Sequence, residues 1–125
     1  MLISIIVLSG CAVKKVKDVT YVISQPDHNS IPSPKLNIFN PRKAKDKKLP
    51  VLIFVHGGNW NTGNKNTYGF YGRNFAKKGV ITVIPDYTLS PNVNYDDMAK
   101  EIAAARQKNS GREKVFTMDE LKKIK

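Results

Sequence analysis

The stretch that most constrains this chain is residues 49–60, LPVLIFVHGGNW. Five consecutive apolar residues, 51–55, run directly into His56-Gly57-Gly58. A short, uninterrupted β-branched and aromatic run suits a strand covered on both faces, where neither set of alternating side chains meets water. The glycine pair at its end makes a sharp turn and lets backbone amides approach a ligand closely. A loop of this kind, at the carboxyl end of a buried strand, is typical of a site in an open α/β sheet.

The flanking segments supply the rest of such a sheet. Residues 12–18 read as a basic tether, and residues 19–23 (VTYVI) predict a first strand. Pro26, Pro32 and Pro34 make residues 25–34 a loop, with His28 in it and exposed by default. Residues 36–39 predict a second strand, with Leu36 and Ile38 on one face and Asn40-Pro41 as its stop. Residues 42–48 form a charged loop, and 51–55 the central strand. Tyr68, Tyr71 and Phe75 recur at helical spacing and predict a helix over 68–78. Gly69 and Gly72 weigh against it, each by about 1 kcal/mol relative to alanine. Lys77 and Lys78 suit its last turn, and Gly79 its stop. Residues 80–84 (VITVI) predict a strand ended by Pro85. Residues 95–105 predict a helix with Met98, Ile102 and Ala105 on one face. The fold class is therefore α/β, with a mixed sheet: an antiparallel start, then a parallel βαβ unit.

At 125 residues there is room for one domain. Lys plus Arg is 21 against 10 Asp plus Glu, a formal charge of +11 that attracts polyanions and acidic membrane surfaces. The lysines are scattered, however, and no aromatic residues interleave with them, so nucleic acid is not an expected partner. There is no Cys/His cluster for a metal and no phosphate-cradling loop, and no cofactor is implied.

The single cysteine excludes an internal disulfide. Residues 2–8 are mostly apolar but far short of the roughly 20 residues that span a bilayer. They suit the apolar core of a secretory signal, although no Lys or Arg precedes them. Leu8-Ser9-Gly10-Cys11 resembles the bacterial lipobox. That resemblance implies a signal segment at residues 1–11, lipid attachment at Cys11, and anchoring to a bacterial membrane on its periplasmic or surface side.

Two motifs carry a second resemblance. His56-Gly57-Gly58-Asn59-Trp60 is followed about thirty residues later by Asp86-Tyr87-Thr88-Leu89-Ser90-Pro91, with a helix and a strand between. This resembles the α/β-hydrolase superfamily, in the esterase/lipase-like branch of feruloyl-esterase-like (BD-FAE-like) and hormone-sensitive-lipase-like enzymes. It covers residues 19–105; Thr88 departs from the usual Arg. The resemblance implies ester hydrolysis by acyl transfer through a Ser-His-Asp triad on small-molecule esters, the serine lying in a Gly-x-Ser-x-Gly elbow. It assigns the oxyanion-hole donors to the backbone amides of Gly58 and Asn59, with Gly57 permitting the turn. His56 is then a scaffold residue of the loop rather than a base. Trp60 is a wall packed under the loop, and Asp86 and Tyr87 brace it by hydrogen bonds.

The catalytic residues of that family are absent from the 125 residues: there is no Gly-x-Ser-x-Gly, and no histidine follows His56. The tail, residues 106–125, reads as unlike the family, with seven basic and three acidic residues. The expectation is the N-terminal half of an α/β-hydrolase fold, cut before the nucleophile strand by a frameshift near Arg106, and inactive alone. Residues 51–55 then become an exposed sheet edge. The competing readings are a non-catalytic, membrane-anchored lipoprotein that binds a partner and a polyanion-binding basic protein.

Overall fold

Residues 13–18, expected as a tether, belong to a strand. The computed structural model describes residues 13–21, 31–42 and 48–109. Its first element is β1, Val13–Thr20, which pairs antiparallel with β2, Lys35–Pro41. Three lysines among its first five residues disguised β1, yet they suit the place: β1 is the outermost strand, and charged side chains on an edge discourage pairing with another chain. The expected strand at 19–23 is thus shifted toward the N-terminus. Its last residue to lie in β1 is Thr20, Tyr21 is buried just beyond, and the remaining two lie outside the described residues. The signal segment, Cys11, His28 and residues 110–125 also lie outside them.

β3, Val51–Ile53, pairs parallel with β4, Ile81–Pro85, and β4 pairs antiparallel with β2. The strand order is β1-β2-β4-β3, a mixed sheet with an antiparallel start and a parallel βαβ unit. The crossover is α1, Gly69–Lys77; α2, Tyr95–Asn109, follows β4. α2 continues past the expected end at Ala105 without a break.

The period of two along the strands divides the core into two layers. Leu36, Val51 and Val83 face α2, where Ala105 and Tyr21 join them. Val13, Phe39 and Ile84 face α1 and meet Ala76. Val51 and Leu52, which point to opposite faces, are both buried, as are residues 82–85 of β4, and this burial on both faces explains the near-continuous apolar runs at 51–55 and 80–84.

Two of the helix ends have a chemical reason. Asn94 caps α2: its side-chain oxygen accepts the Asp97 amide at 2.9 Å and its carbonyl the Met98 amide at 3.2 Å. Asp96 and Asp97 place negative charge in the first turn, where the helix dipole favours it. α1 ends in a Schellman arrangement, the Gly79 amide donating to the Ala76 carbonyl and the Val80 amide to that of Phe75.

Among the described residues β3 pairs on one side only. Its ladder continues through the Phe54 amide to the Val83 carbonyl at 2.8 Å, and Val55 beyond it is 38% exposed. An apolar strand with a free edge templates association between copies. Val55→Lys should therefore lower light scattering of the concentrated chain, while its urea midpoint stays within about 0.5 kcal/mol of wild type. Unchanged scattering would place the sticky surface elsewhere.

Candidate active site

β3 delivers the chain to the Gly-Gly loop, and the loop's backbone is unusual. Gly58 has φ 138°, Asn59 φ 52° and Trp60 φ 64°. Three successive positive φ values turn the chain sharply and are costly for the two residues that bear side chains. The turn therefore begins at Gly58, not at Gly57, where a side chain would meet no atom within 4 Å. At Gly58 an added Cβ would stand 2.1 Å from the Thr62 carbonyl oxygen. The Gly58 carbonyl accepts three bonds, from the amides of Asn61 (3.2 Å) and Thr62 (3.0 Å) and from the Thr62 hydroxyl (2.8 Å). The Trp60 carbonyl accepts the Ser90 amide at 2.9 Å. These bonds hold the strained segment. Among the described residues, no protein acceptor takes the amide of Gly58 or Asn59.

Beneath the loop lies His56, buried and stacked against Tyr87, with ring centroids 4.8 Å apart. The Tyr87 hydroxyl donates to the His56 carbonyl at 3.0 Å. Both imidazole nitrogens face oxygen: Nδ1 is 3.0 Å from the Gly57 carbonyl, and Nε2 is 3.4 Å from Asp86 Oδ1. The second contact is ionic rather than a well-formed hydrogen bond. Burial disfavours the charged ring, but the Asp86 carboxylate and the Gly57 carbonyl outweigh it and hold the His56 pKa above its ordinary 6.5.

Asp86, just after β4, ties this assembly together. Its Oδ1 accepts the Lys65 amide at 2.5 Å and its Oδ2 the Lys65 ammonium at 2.9 Å. Its carbonyl accepts the Tyr21 hydroxyl, and its amide donates to the Lys35 carbonyl at 2.9 Å. Burial raises its pKa, but the contacts with His56 and Lys65 prevail and hold it below 3.8. Lys65, almost wholly buried, also reaches Asp18 at 3.0 Å. Asp18 has φ 55° at the irregularity between Val16 and Val19, which brings its carboxylate to Lys65. Its amide donates to the Asn37 side chain at 3.1 Å, and Asn37 donates to Asn66 at 3.0 Å.

Lys65, Asp18, Asn37 and Asn66 were not singled out from sequence. Lys65 lies in a polar loop of a lysine-rich chain, where a solvated lysine is the default. The available signals were the lone acid in the run at 14–18 and Asn37 interrupting the apolar residues of β2. Glu101 on α2 accepts both the amide and the hydroxyl of Thr88, at 2.6 and 2.8 Å. Trp60 is 45% exposed and only partly packed: its ring centroid lies 6.0 Å from that of Tyr87 and 5.8 Å from that of Tyr95. Among the described residues no group of His, Cys, Asp and Glu could hold a metal ion.

Comparison with known proteins agrees with this fold. The BD-FAE family profile matches residues 36–119, a span that begins within β2 and runs past Ala105 into the tail. An esterase of Gibberella moniliformis is 30% identical over 61 residues, 48% of this chain and 19% of its own length. Esterase B of Lactobacillus rhamnosis superposes with a TM-score of 0.67 at 26% identity, covering 80% of this chain and 30% of that one. A fungal esterase structure from Rhizomucor miehei superposes with a TM-score of 0.60 at 33% identity, covering 82% and 32%. The chain spans between 10% and 30% of the length of the first curated relatives it matches. The fold is that of esterase-type α/β-hydrolases, matched here over about a third of their length. The chain belongs to the BD-FAE family.

Proposed function

We propose that residues 56–60 form the oxyanion-stabilising part of a serine carboxylesterase-type site, with the Gly58 and Asn59 amides as donors. The observation that carries this reading is the pair of adjacent amides at the turn that no protein acceptor takes, on a backbone held in place before any ligand arrives. When an ester carbonyl is attacked, negative charge develops on its oxygen. Donors fixed in advance stabilise that charge without reorganising, and one of them contributes about 2.7–4 kcal/mol to the barrier. His56 is a positioning residue: its ring is buried and its carbonyl is engaged by Tyr87, an arrangement for holding the loop rather than for taking a proton from substrate. Asp86, with its carboxylate committed to Lys65, acts the same way.

The 125 residues hold no Gly-x-Ser-x-Gly and no histidine after His56, so on this reading the chain alone does not turn over esters. Full-length chain incubated with p-nitrophenyl acetate should release nitrophenol at the rate of buffer. Turnover well above buffer that a serine-directed phosphonate abolishes would overturn the inactive half-site.

A further inference from the structure

The two ends of the sheet differ in charge. β1 and β4 are both antiparallel to β2, and β3 is parallel to β4, so β1, β3 and β4 run the same way. The Gly-Gly loop leaves one end of the sheet, and the chain enters β1 at the other. All five acidic side chains of the described residues belong to the loop end. Asp86 follows β4, Asp96 and Asp97 open α2, Glu101 binds Thr88, and Asp18 binds Lys65. Four ion pairs are there too: His56–Asp86, Lys65–Asp18, Lys65–Asp86 and Lys100–Asp97.

The opposite rim carries no carboxylate among the described residues. It gathers the starts of β1 and β3 and the ends of β2 and α1. Val13 pairs with Pro41, the Pro50 carbonyl takes the Ile81 amide at 2.9 Å, and the Val80 amide returns to the last turn of α1. Lys14, Arg42, Lys48 and Lys77 stand exposed there, each on a different segment, and none enters a described ion pair. Cys11 precedes Val13 by two residues, no more than about 7 Å of extended chain.

We propose that this rim is a docking surface for an anionic bilayer, which orients the sheet so that the Gly-Gly loop faces away from the lipid. Four cations distributed over the ends of four segments suit a laterally spread negative surface, to which each Lys or Arg adds about fivefold in affinity. The rim does not require Cys11 to be acylated, nor the oxyanion reading to hold.

The test uses the full chain carrying Cys11→Ser, so that acylation contributes nothing. Vesicles are phosphatidylcholine alone, or phosphatidylcholine with about one-third phosphatidylglycerol. Binding should tighten at least about tenfold on adding phosphatidylglycerol and weaken steeply with salt. The variant Lys14→Gln/Arg42→Gln/Lys48→Gln/Lys77→Gln should lose that gain. Lys35→Gln/Lys100→Gln at the loop end, and Lys122→Gln/Lys123→Gln/Lys125→Gln in the tail, should keep it within about twofold. Trp60, the sole tryptophan and at the far end, reads orientation without any need for a charge variant to fold. Brominated acyl chains should leave its emission unchanged. Equal binding to both vesicles, loss in the tail variant instead, quenching of Trp60, or a DNA duplex that displaces the anionic vesicles at equal charge would each overturn the proposal.

Discussion

Asp86→Ala is expected to destabilise the chain by about 2–4 kcal/mol, a large share of the stability of a small domain. The carboxylate is 25% exposed and the Lys65 side chain 7%, which places the pair between surface and interior. Removing Asp86 leaves the Lys65 amide, the Lys65 ammonium and His56 Nε2 facing a void, and each has lost water to reach its place. Asp18→Asn should move the urea midpoint far less, because the Asp18 side chain is 55% exposed and water replaces what it gave. Equal shifts in the two variants would remove Asp86 from the centre of the assembly.

The same residues set the pH dependence. Asp86 titrates below 3.8 in the folded chain, so its contribution is complete above 3.8 and lost as pH falls through the lower folded value. His56 titrates above 6.5, so its contribution is complete below 6.5 and lost as pH rises through the higher folded value. Stability from this pair is greatest between 3.8 and 6.5 and declines on both sides. Urea midpoints across that window check the sum. Proton NMR of the His56 ring, with His28 as the internal comparison, checks the histidine limb, and Asp86→Ala should lower the His56 midpoint.

Gly72→Ala is the second large effect, and it runs against helix propensity. Alanine at an interior helical position normally gains about 1 kcal/mol over glycine. Here the added Cβ would lie 2.3–2.6 Å from three ring atoms of Phe39. Phe39 cannot retreat: it is fully buried on β2, between β1 and β4, and the Lys15 ammonium lies 5.1 Å from its ring centroid. Overpacking of this kind costs about 1–3 kcal/mol. Gly69→Ala makes only ordinary contacts, at 3.7–4.0 Å, and should be neutral or mildly stabilising. Phe39→Leu should relieve the clash, so the double mutant should be more stable than the two single losses predict, by about 1 kcal/mol or more. Additive losses would mean that Gly72 answers to something other than the ring.

The same glycine shows where a sequence stops being legible. Two glycines in a short helix read as weakness because propensity is a local quantity. Their reason is the near approach of α1 to β2, which only the packed sheet creates. β1 is the parallel case. Its lysines resemble a solvated tether because they lack the apolar alternation of a half-buried strand, and only its place at the edge of the sheet turns that composition into an advantage. Lys65 and Asp18 were invisible for a related reason. A lysine's burial depends on carboxylates brought to it from 47 residues before and 21 residues after, and no spacing rule encodes that meeting.

By itself the sequence determined the α/β class, the mixed sheet, the apolar strand at residues 51–55 and the loop that follows it. These follow from local patterns: unbroken apolar runs, periods of 2 and 3.6, and glycines and prolines at the breaks. The tertiary structure alone decided where the loop turns, at Gly58 to Trp60 rather than at Gly57, and what holds it there. A backbone with three successive positive φ values persists only when contacts from Tyr87 and Ser90 after β4, and from the loop itself, over-determine it. Those contacts join residues distant in sequence, so they exist only once the chain has folded.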